Sequence, residues 1–346
     1  MSGPDDTSKL EQFGWGPRWA ALAAEGVERG LTPGIILRHD GSAVLAATPT
    51  GRQHIPVVPS NPAFAVGDRI LIGTGTVDEV LHRSSLLQRR DPSTGTGQFI
   101  AANADVVAIV CGLDRPLRPG RIERFSTLAW DAGASPLVVC TKCDLGGDDE
   151  TADFVLRAES AAPGITVVAV SAQTGAGLDD LRAELAGKTA VFVGESGAGK
   201  STLLNSLYDH DIARTGSTRT GDSKGRHTTT ARQLFAVGDF WVIDTPGVRE
   251  VGLWAGTDAV DTAFDDIADL GSECRFGDCT HDTEPGCAVA AAIANGTLAP
   301  ERLNSWQRLR REALAAELRA DPVAARRANR QFGRMIREVQ RIKGQR

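Results

Sequence analysis

The 346-residue chain has no apolar run near the ~20 residues that a bilayer-spanning helix needs. That excludes a helical membrane protein. Its first residues, MSGPDDTSKLEQFGWG, lack the basic-then-apolar order of a signal peptide, so the chain is expected to stay in the cytoplasm. Internal repeats and long low-complexity tracts are missing as well, which leaves no sign of a repeat architecture. Positive charge is in deficit: 38 Lys and Arg stand against 44 Asp and Glu, for a net charge of −6. Taken alone, that balance argues against a nucleic-acid partner. Cysteine is sparse, with six residues. Cys111, Cys140 and Cys143 are scattered and read as small buried or loop residues, not as a disulfide framework.

The length allows two or three domains, and a composition 41% hydrophobic and 24% charged is that of a globular protein. The charge is unevenly spread. From Glu301 to Arg346 there are 13 Lys and Arg against 5 Asp and Glu. An acidic body with a basic tail suits a protein that touches RNA with one end, and equally a solvated helical face.

Residues 1–30 form a weakly patterned lead-in. Over 31–86, short β-type runs (GIILRHD, SAVLAATPTG, HIPVVPS, DRILIGTG, TVDEVLH) alternate with turn residues and predict a small all-β, OB-like barrel. SSLLQRRDPSTGTGQFIAAN reads as a connector. The rhythm then changes. DVVAIVCGL, PLVVCTK, TVVAVSA, AVFVGE and FWVIDT are apolar strands separated by helix-length stretches. That is the pattern of a parallel sheet covered on both faces, an α/β domain over 87–254. Residues 255–346 read as helical and interrupted by a Cys/His cluster.

Gly194-Glu195-Ser196-Gly197-Ala198-Gly199-Lys200-Ser201 matches the phosphate-loop signature between a strand and the helical run Ser201-Thr202-Leu-Leu-Asn. The glycines let backbone N–H groups turn toward phosphate oxygens, and the helix N-terminus adds positive charge. Lys200 is expected on the β- and γ-phosphates, and Ser201 on Mg²⁺. Asp244-Thr-Pro-Gly247 closes the strand FWVIDT, which places Asp244 to hold Mg²⁺ and the Gly247 N–H to meet a γ-phosphate. The intervening segment RTGSTRTGDSKGRHTTT contains Thr228 and Thr229, either of which could sense the γ-phosphate through Mg²⁺. Its His227 is a candidate for placing the attacking water, a role that Val248, next after DTPG, cannot fill. Gly197 stands where potassium-dependent GTPases carry Asn.

Thr141-Lys142-Cys143-Asp144 ends one strand and Ser171-Ala172 the next. The Asp144 carboxylate can accept two N–H bonds from a guanine edge that adenine does not offer, which favours GTP over ATP. The Lys142 stem can pack over the base, and Ser171-Ala172 can contact it from the other side. These resemble the guanine motifs of G proteins, with Thr141 in place of the usual Asn, a change expected to weaken contact with the phosphate loop. Both motifs precede the phosphate loop, the reverse of the ordinary order, so the G domain is circularly permuted. Cys274, Cys279, His281 and Cys287 supply three thiolates and an imidazole within fourteen residues, a set suited to one closed, structural tetrahedral Zn²⁺.

The permuted order, GRHTTT, DTPG, the Cys-Cys-His-Cys spacing and EPGCAV together resemble the ribosome small-subunit-dependent GTPase family, from about Thr32 to Lys343. The resemblance implies a P-loop GTPase domain with permuted motifs between an N-terminal OB-fold and a helical zinc domain. It also implies GTP/GDP, Mg²⁺ and one Zn²⁺ as ligands, and the 30S subunit with its 16S rRNA as partner. The expected activity is a GTP hydrolase, acting as a monomer, that assists late 30S maturation and is stimulated by it. The alternative is an RNA-binding assembly factor that uses GTP only as a binding switch.

Overall fold

A computed structural model describes residues 8–59, 61, 63–90, 97–215, 232–244, 256–282 and 284–320. The chain divides into two compact units, Met1–Gly252 and Leu253–Arg346. Among the described residues no helix is long and apolar enough to cross a membrane.

The lead-in is more ordered than its weak pattern suggests. It forms α1 (Ser8–Glu11) and α2 (Pro17–Glu28), the latter opened by a proline whose missing N–H costs nothing there. Leu10, Phe13, Trp15 and Trp19 are buried. Gly26 lets α2 lie close to the sheet, because a Cβ there would sit 2.3 Å from Leu71 Cδ1.

Five strands follow: β1 (Thr32–His39), β2 (Ala43–Thr48), β3 (Gly51–Pro56), β4 (Arg69–Ile72) and β5 (Val77–Val80). They pair in the order β3-β2-β1-β4-β5 around Ile36, Val44, Ile55, Ile70 and Val77. Asn61, beyond β3, donates its Nδ2–H to Val77 O at 2.8 Å and ties the two outer edges together. Arg69 is wholly buried, donating to Gly67 O at 2.6 Å and lying 4.9 Å from the Trp19 ring. Burial pushes its guanidinium down to about 10, so it stays cationic at neutral pH.

The segment read as a connector is instead a ribbon, β6 (Leu86–Arg90) against β7 (Gly97–Ala102). Leu87, Ile100 and Ala101 are buried, which explains why the chain pairs there.

The α/β layer contains β8 (Val106–Gly112), α3 (Pro119–Asp131), β9 (Ser135–Thr141), α4 (Asp148–Ala161), β10 (Val167–Ala169), α5 (Leu178–Leu185), β11 (Thr189–Gly194), α6 (Lys200–Thr215), β12 (Gln233–Val237) and β13 (Phe240–Asp244). The sheet order is β10-β9-β8-β11-β13-β12, continued by β1. The first five run parallel and β12 is antiparallel. Alternation along the strands divides the core. Val107, Ile109, Val138 and Val191 pack with Ile122 and Phe125 of α3 and Phe154 of α4. Val106, Ala108, Val139 and Phe192 pack with Leu181 of α5 and Leu203 and Leu207 of α6.

The second unit holds α7 (Thr257–Ala263), α8 (Asp265–Ser272), α9 (Ala288–Ala294) and α10 (Pro300–Ala320). Phe264, Ile267, Val289, Trp306 and Leu309 form its core. Arg302 grips Asp266 through two 2.7 Å bonds while stacked 4.4 Å from Phe264.

Candidate nucleotide site and metal cluster

The loops singled out in the sequence lie at the C-terminal ends of neighbouring parallel strands, where open α/β sheets bind ligands. The loop from Gly194 to Ser201 joins β11 to α6. Gly194, at φ +143°, lies against the next strand: a Cβ there would stand 2.4 Å from Val110 O. Gly197 and Gly199 also have positive φ, +79° and +93°. Lys200 Nζ curls back onto the loop, donating to Gly194 O and Glu195 O, each at 2.7 Å. Ser196 is exposed, Ala198 is buried, and Ser201 and Thr202 are exposed on the first turn of α6.

Two residues of the base loop reach the phosphate loop. The Thr141 hydroxyl donates to Ala198 O at 2.5 Å. Thr141 thus keeps a contact with the phosphate loop in the place of the usual Asn, because a hydroxyl is also a donor and Thr141 is buried at the strand end. Lys142, in a left-handed conformation at φ +63°, donates to Gly197 O at 2.7 Å and to Asp114 Oδ2 at 2.8 Å. Ser171 is buried, and its Oγ accepts from the N–H groups of Gln173 at 3.2 Å and Thr174 at 3.1 Å. The hydroxyl proton is left for Asp144 Oδ1, 2.6 Å away, and fixes that carboxylate. Ala172 O accepts from Ser206 Oγ of α6 at 3.1 Å.

Sequence reading missed a third group, after β8. Asp114 and Arg115 form a two-pronged pair at 3.2 and 2.9 Å. Arg115 also donates to Ser196 O at 2.9 Å and Gly197 O at 3.2 Å. Glu195 of the phosphate loop draws Arg115, Arg118 and Arg121, at 3.5, 3.3 and 2.6 Å. Hydrogen bonds from Arg115 and Lys142 hold the Asp114 carboxyl well below the usual carboxylate range. The available signal was positional: an Asp-Arg pair just past a parallel strand.

Asp244 ends β13, which pairs with β11, so it stands one strand from the phosphate loop. His227, Thr228, Thr229, Gly247 and Val248 lie outside the described residues.

In the second unit the ligand atoms of Cys274, Cys279, His281 and Cys287 all lie within 4.8 Å of one another. Cys274 Sγ and Cys287 Sγ are 3.9 Å apart, and His281 Nδ1 is 3.6 and 3.5 Å from them. A tetrahedral site with ~2.3 Å zinc–sulfur and ~2.0 Å zinc–nitrogen bonds has edges of about 3.8 and 3.5 Å, so Cys274, Cys287 and His281 stand at the spacing such a site needs, with Cys279 within 4.8 Å of them. Backbone N–H groups point at the sulfurs: Ala288 to Cys274 and Ala290 to Cys287, both at 3.3 Å. For Cys274, burial raises the thiol pKa, but the N–H groups of Ala288 and Val289 and the neighbouring thiols outweigh it, and the net shift is downward. Burial lowers the His281 pKa and favours the neutral ring that ligates metal. Glu284, unforeseen from sequence, accepts from Thr280 N and Asp282 N at 2.9 Å and from the Thr280 hydroxyl, clamping the loop between the second and last cysteines.

The RsgA GTPase family profile matches residues 80–254. The small ribosomal subunit biogenesis GTPase RsgA of Streptomyces avermitilis is 40% identical over 334 residues, covering 90% of each chain. That of Streptomyces coelicolor is 42% identical over 317 residues, covering 88% of this chain and 87% of the relative. Among solved structures, YjeQ from Thermotoga maritima superposes with a TM-score of 0.62 at 29% identity, over 82% of this chain and 99% of that one. YloQ, a circularly permuted GTPase, gives 0.59 at 24% identity over 82% and 96%, and bears on the fold alone. The permuted order of the loops is thus shared with a solved fold, and the likeness to the Streptomyces relatives spans both units: the chain belongs to the RsgA GTPase family.

Proposed function

We propose that this chain hydrolyses GTP to GDP and phosphate in the service of small-subunit assembly, with turnover stimulated by the 30S particle. The observation that carries the reading is the convergence on one sheet edge of a phosphate loop and a base loop joined by Thr141 and Lys142. Asp144, held by Ser171, would accept the guanine N–H groups. Lys200 would exchange the carbonyls of Gly194 and Glu195 for phosphate oxygens. Ser201, in the first turn of α6 after β11, and Asp244, the last residue of the paired strand β13, are the oxygen donors that would hold Mg²⁺, with Thr228 or Thr229. Magnesium supplies charge neutralisation on the phosphates. His227 is assigned to orient the attacking water.

Cys274, Cys279, His281 and Cys287 are assigned to one structural zinc, with no ligand position left open for catalysis. Residues 31–86 are the barrel, 87–254 the G domain and 255–346 the zinc-bearing domain, whose basic tail would meet 16S rRNA. The test is steady-state GTP turnover with 30S, 50S and 70S particles added separately. A rise of about tenfold or more with 30S alone is expected, since most of the catalysis of phosphoryl transfer is positioning. Equal turnover with all three, or with none, contradicts the reading.

A further inference from the structure

Arg115 follows β8 and stands beside the phosphate loop without belonging to any nucleotide motif. Its guanidinium has five N–H groups. Nε meets Asp114 Oδ1 at 3.2 Å, Nη2 meets Asp114 Oδ2 at 2.9 Å and Gly197 O at 3.2 Å, and Nη1 meets Ser196 O at 2.9 Å and Glu195 Oε2 at 3.5 Å. Five donors have five acceptors, so none is left over to reach a phosphate. The fork is therefore a brace on the loop and not a finger into the site.

Two glycines make room for it. A Cβ on Gly112 would lie 2.5 Å from Asp114 Oδ1, and one on Gly197 would lie 3.1 Å from Arg115 Nη2. A peptide unit is planar and trans, so fixing its carbonyl fixes the opposite direction of its N–H. Holding Ser196 O and Gly197 O thereby sets the N–H directions of Gly197 and Ala198, the latter donating to Glu195 O at 3.2 Å, and so fixes the shape of the stretch that cradles phosphate in loops of this kind.

We propose that Arg115, aligned by Asp114, is a positioning residue that preorganises the phosphate loop for GTP binding and turnover without touching the nucleotide. The inference rests on the reading of Gly194–Ser201 as the phosphate site. Lys142 shares Asp114 and Gly197 O with Arg115, but Asp144 and Ser171, which would read the guanine edge, share no hydrogen bond with it, so discrimination of the base separates from the brace. A lysine offers one compact charge where the fork spans two carbonyls and two carboxylates, and it does not substitute.

The test measures GDP and GTP affinity, kcat, KM and the GDP/XDP preference for Arg115→Ala, Arg115→Lys, Gly112→Ala and the Arg115→Ala/Gly112→Ala double variant, with Lys200→Ala as reference. Loss of charged hydrogen bonds predicts about tenfold weaker GDP and GTP binding in Arg115→Ala, with the GDP/XDP preference unchanged. Arg115→Lys behaves like Arg115→Ala. Gly112→Ala displaces Asp114 and weakens binding too, and the double variant loses less than the product of the single losses. Wild-type affinity and turnover in Arg115→Ala overturn the brace. A parallel fall in the GDP/XDP preference also overturns it, because that marks general loosening of the site. If Lys200→Ala itself turns over GTP normally, the phosphate-site reading fails and not the brace alone.

Discussion

The nucleotide site and the Cys/His cluster are built in opposite ways. The nucleotide site gathers Asp114, Thr141, Lys142, Asp144, Ser171 and Gly194–Ser201 from the ends of four strands of one parallel sheet, and hydrogen bonds such as Thr141 to Ala198 span 57 residues of chain. The cluster takes its four ligands from fourteen residues and is braced by local N–H donors from the start of α9. The first site inherits its rigidity from a large core of Val, Ile and Leu. The second belongs to a unit of three short helices and one long one, α10, around a smaller core. A site of the first kind tolerates loss of a ligand without losing its fold; a site of the second kind is expected not to.

The largest effect expected is at the phosphate loop. Lys200→Ala should slow turnover by at least about a hundredfold, as loss of a preorganised charge at a transferring phosphoryl group does, while the thermal unfolding of the chain stays close to wild type. Unfolding of the variant would erase the distinction between the two sites.

Metal removal attacks the same distinction from the other side. A chelator that strips zinc should melt the Leu253–Arg346 unit, seen as loss of amide protection there, because metal binding and folding are linked in such clusters. GTP affinity should stay within about threefold, since the nucleotide site is held by the sheet and core of the first unit. Elemental analysis should find one zinc per chain before treatment.

A smaller effect sharpens the nucleotide side alone. Asp144→Asn swaps an acceptor for a donor at the guanine edge, so the GTP-over-XTP preference should fall by about a hundredfold or more. An unchanged ratio would remove Asp144 from the base site.

What could be read from the sequence follows the same division. Gly194–Ser201, Asp144 and Ser171-Ala172 were legible because phosphate and guanine impose residue types at fixed spacing on either side of an apolar strand. The four metal ligands were legible because they are local. Arg115 was not, since its partners Ser196 O and Gly197 O are backbone atoms about 80 residues away, and backbone acceptors leave no trace in residue type; Asp114 was not, because it acts through Arg115 and through Lys142, 28 residues on. The β6–β7 ribbon was missed because its Gly, Ser and Thr-rich middle hides two strands whose inward residues, Leu87 and Ile100, are few. The first helices were missed for a related reason: the buried positions of α2, Trp19, Ala23 and Gly26, keep a helical spacing but include one large apolar side chain, while Phe13 and Trp15 are buried between the two helices and Trp241 Nε1 donates to Gln12 O at 2.9 Å.

A GTPase whose turnover is stimulated by the 30S particle is expected to bind that particle according to its nucleotide state. The direct measurement is the affinity of the full chain for purified 30S particles with GDP and with a non-hydrolysable GTP analogue at the same salt concentration. Ordering around the γ-phosphate predicts about tenfold tighter binding with the analogue, and the same factor in reverse when the particle is present and analogue affinity is measured. Equal 30S affinity in the two nucleotide states contradicts it.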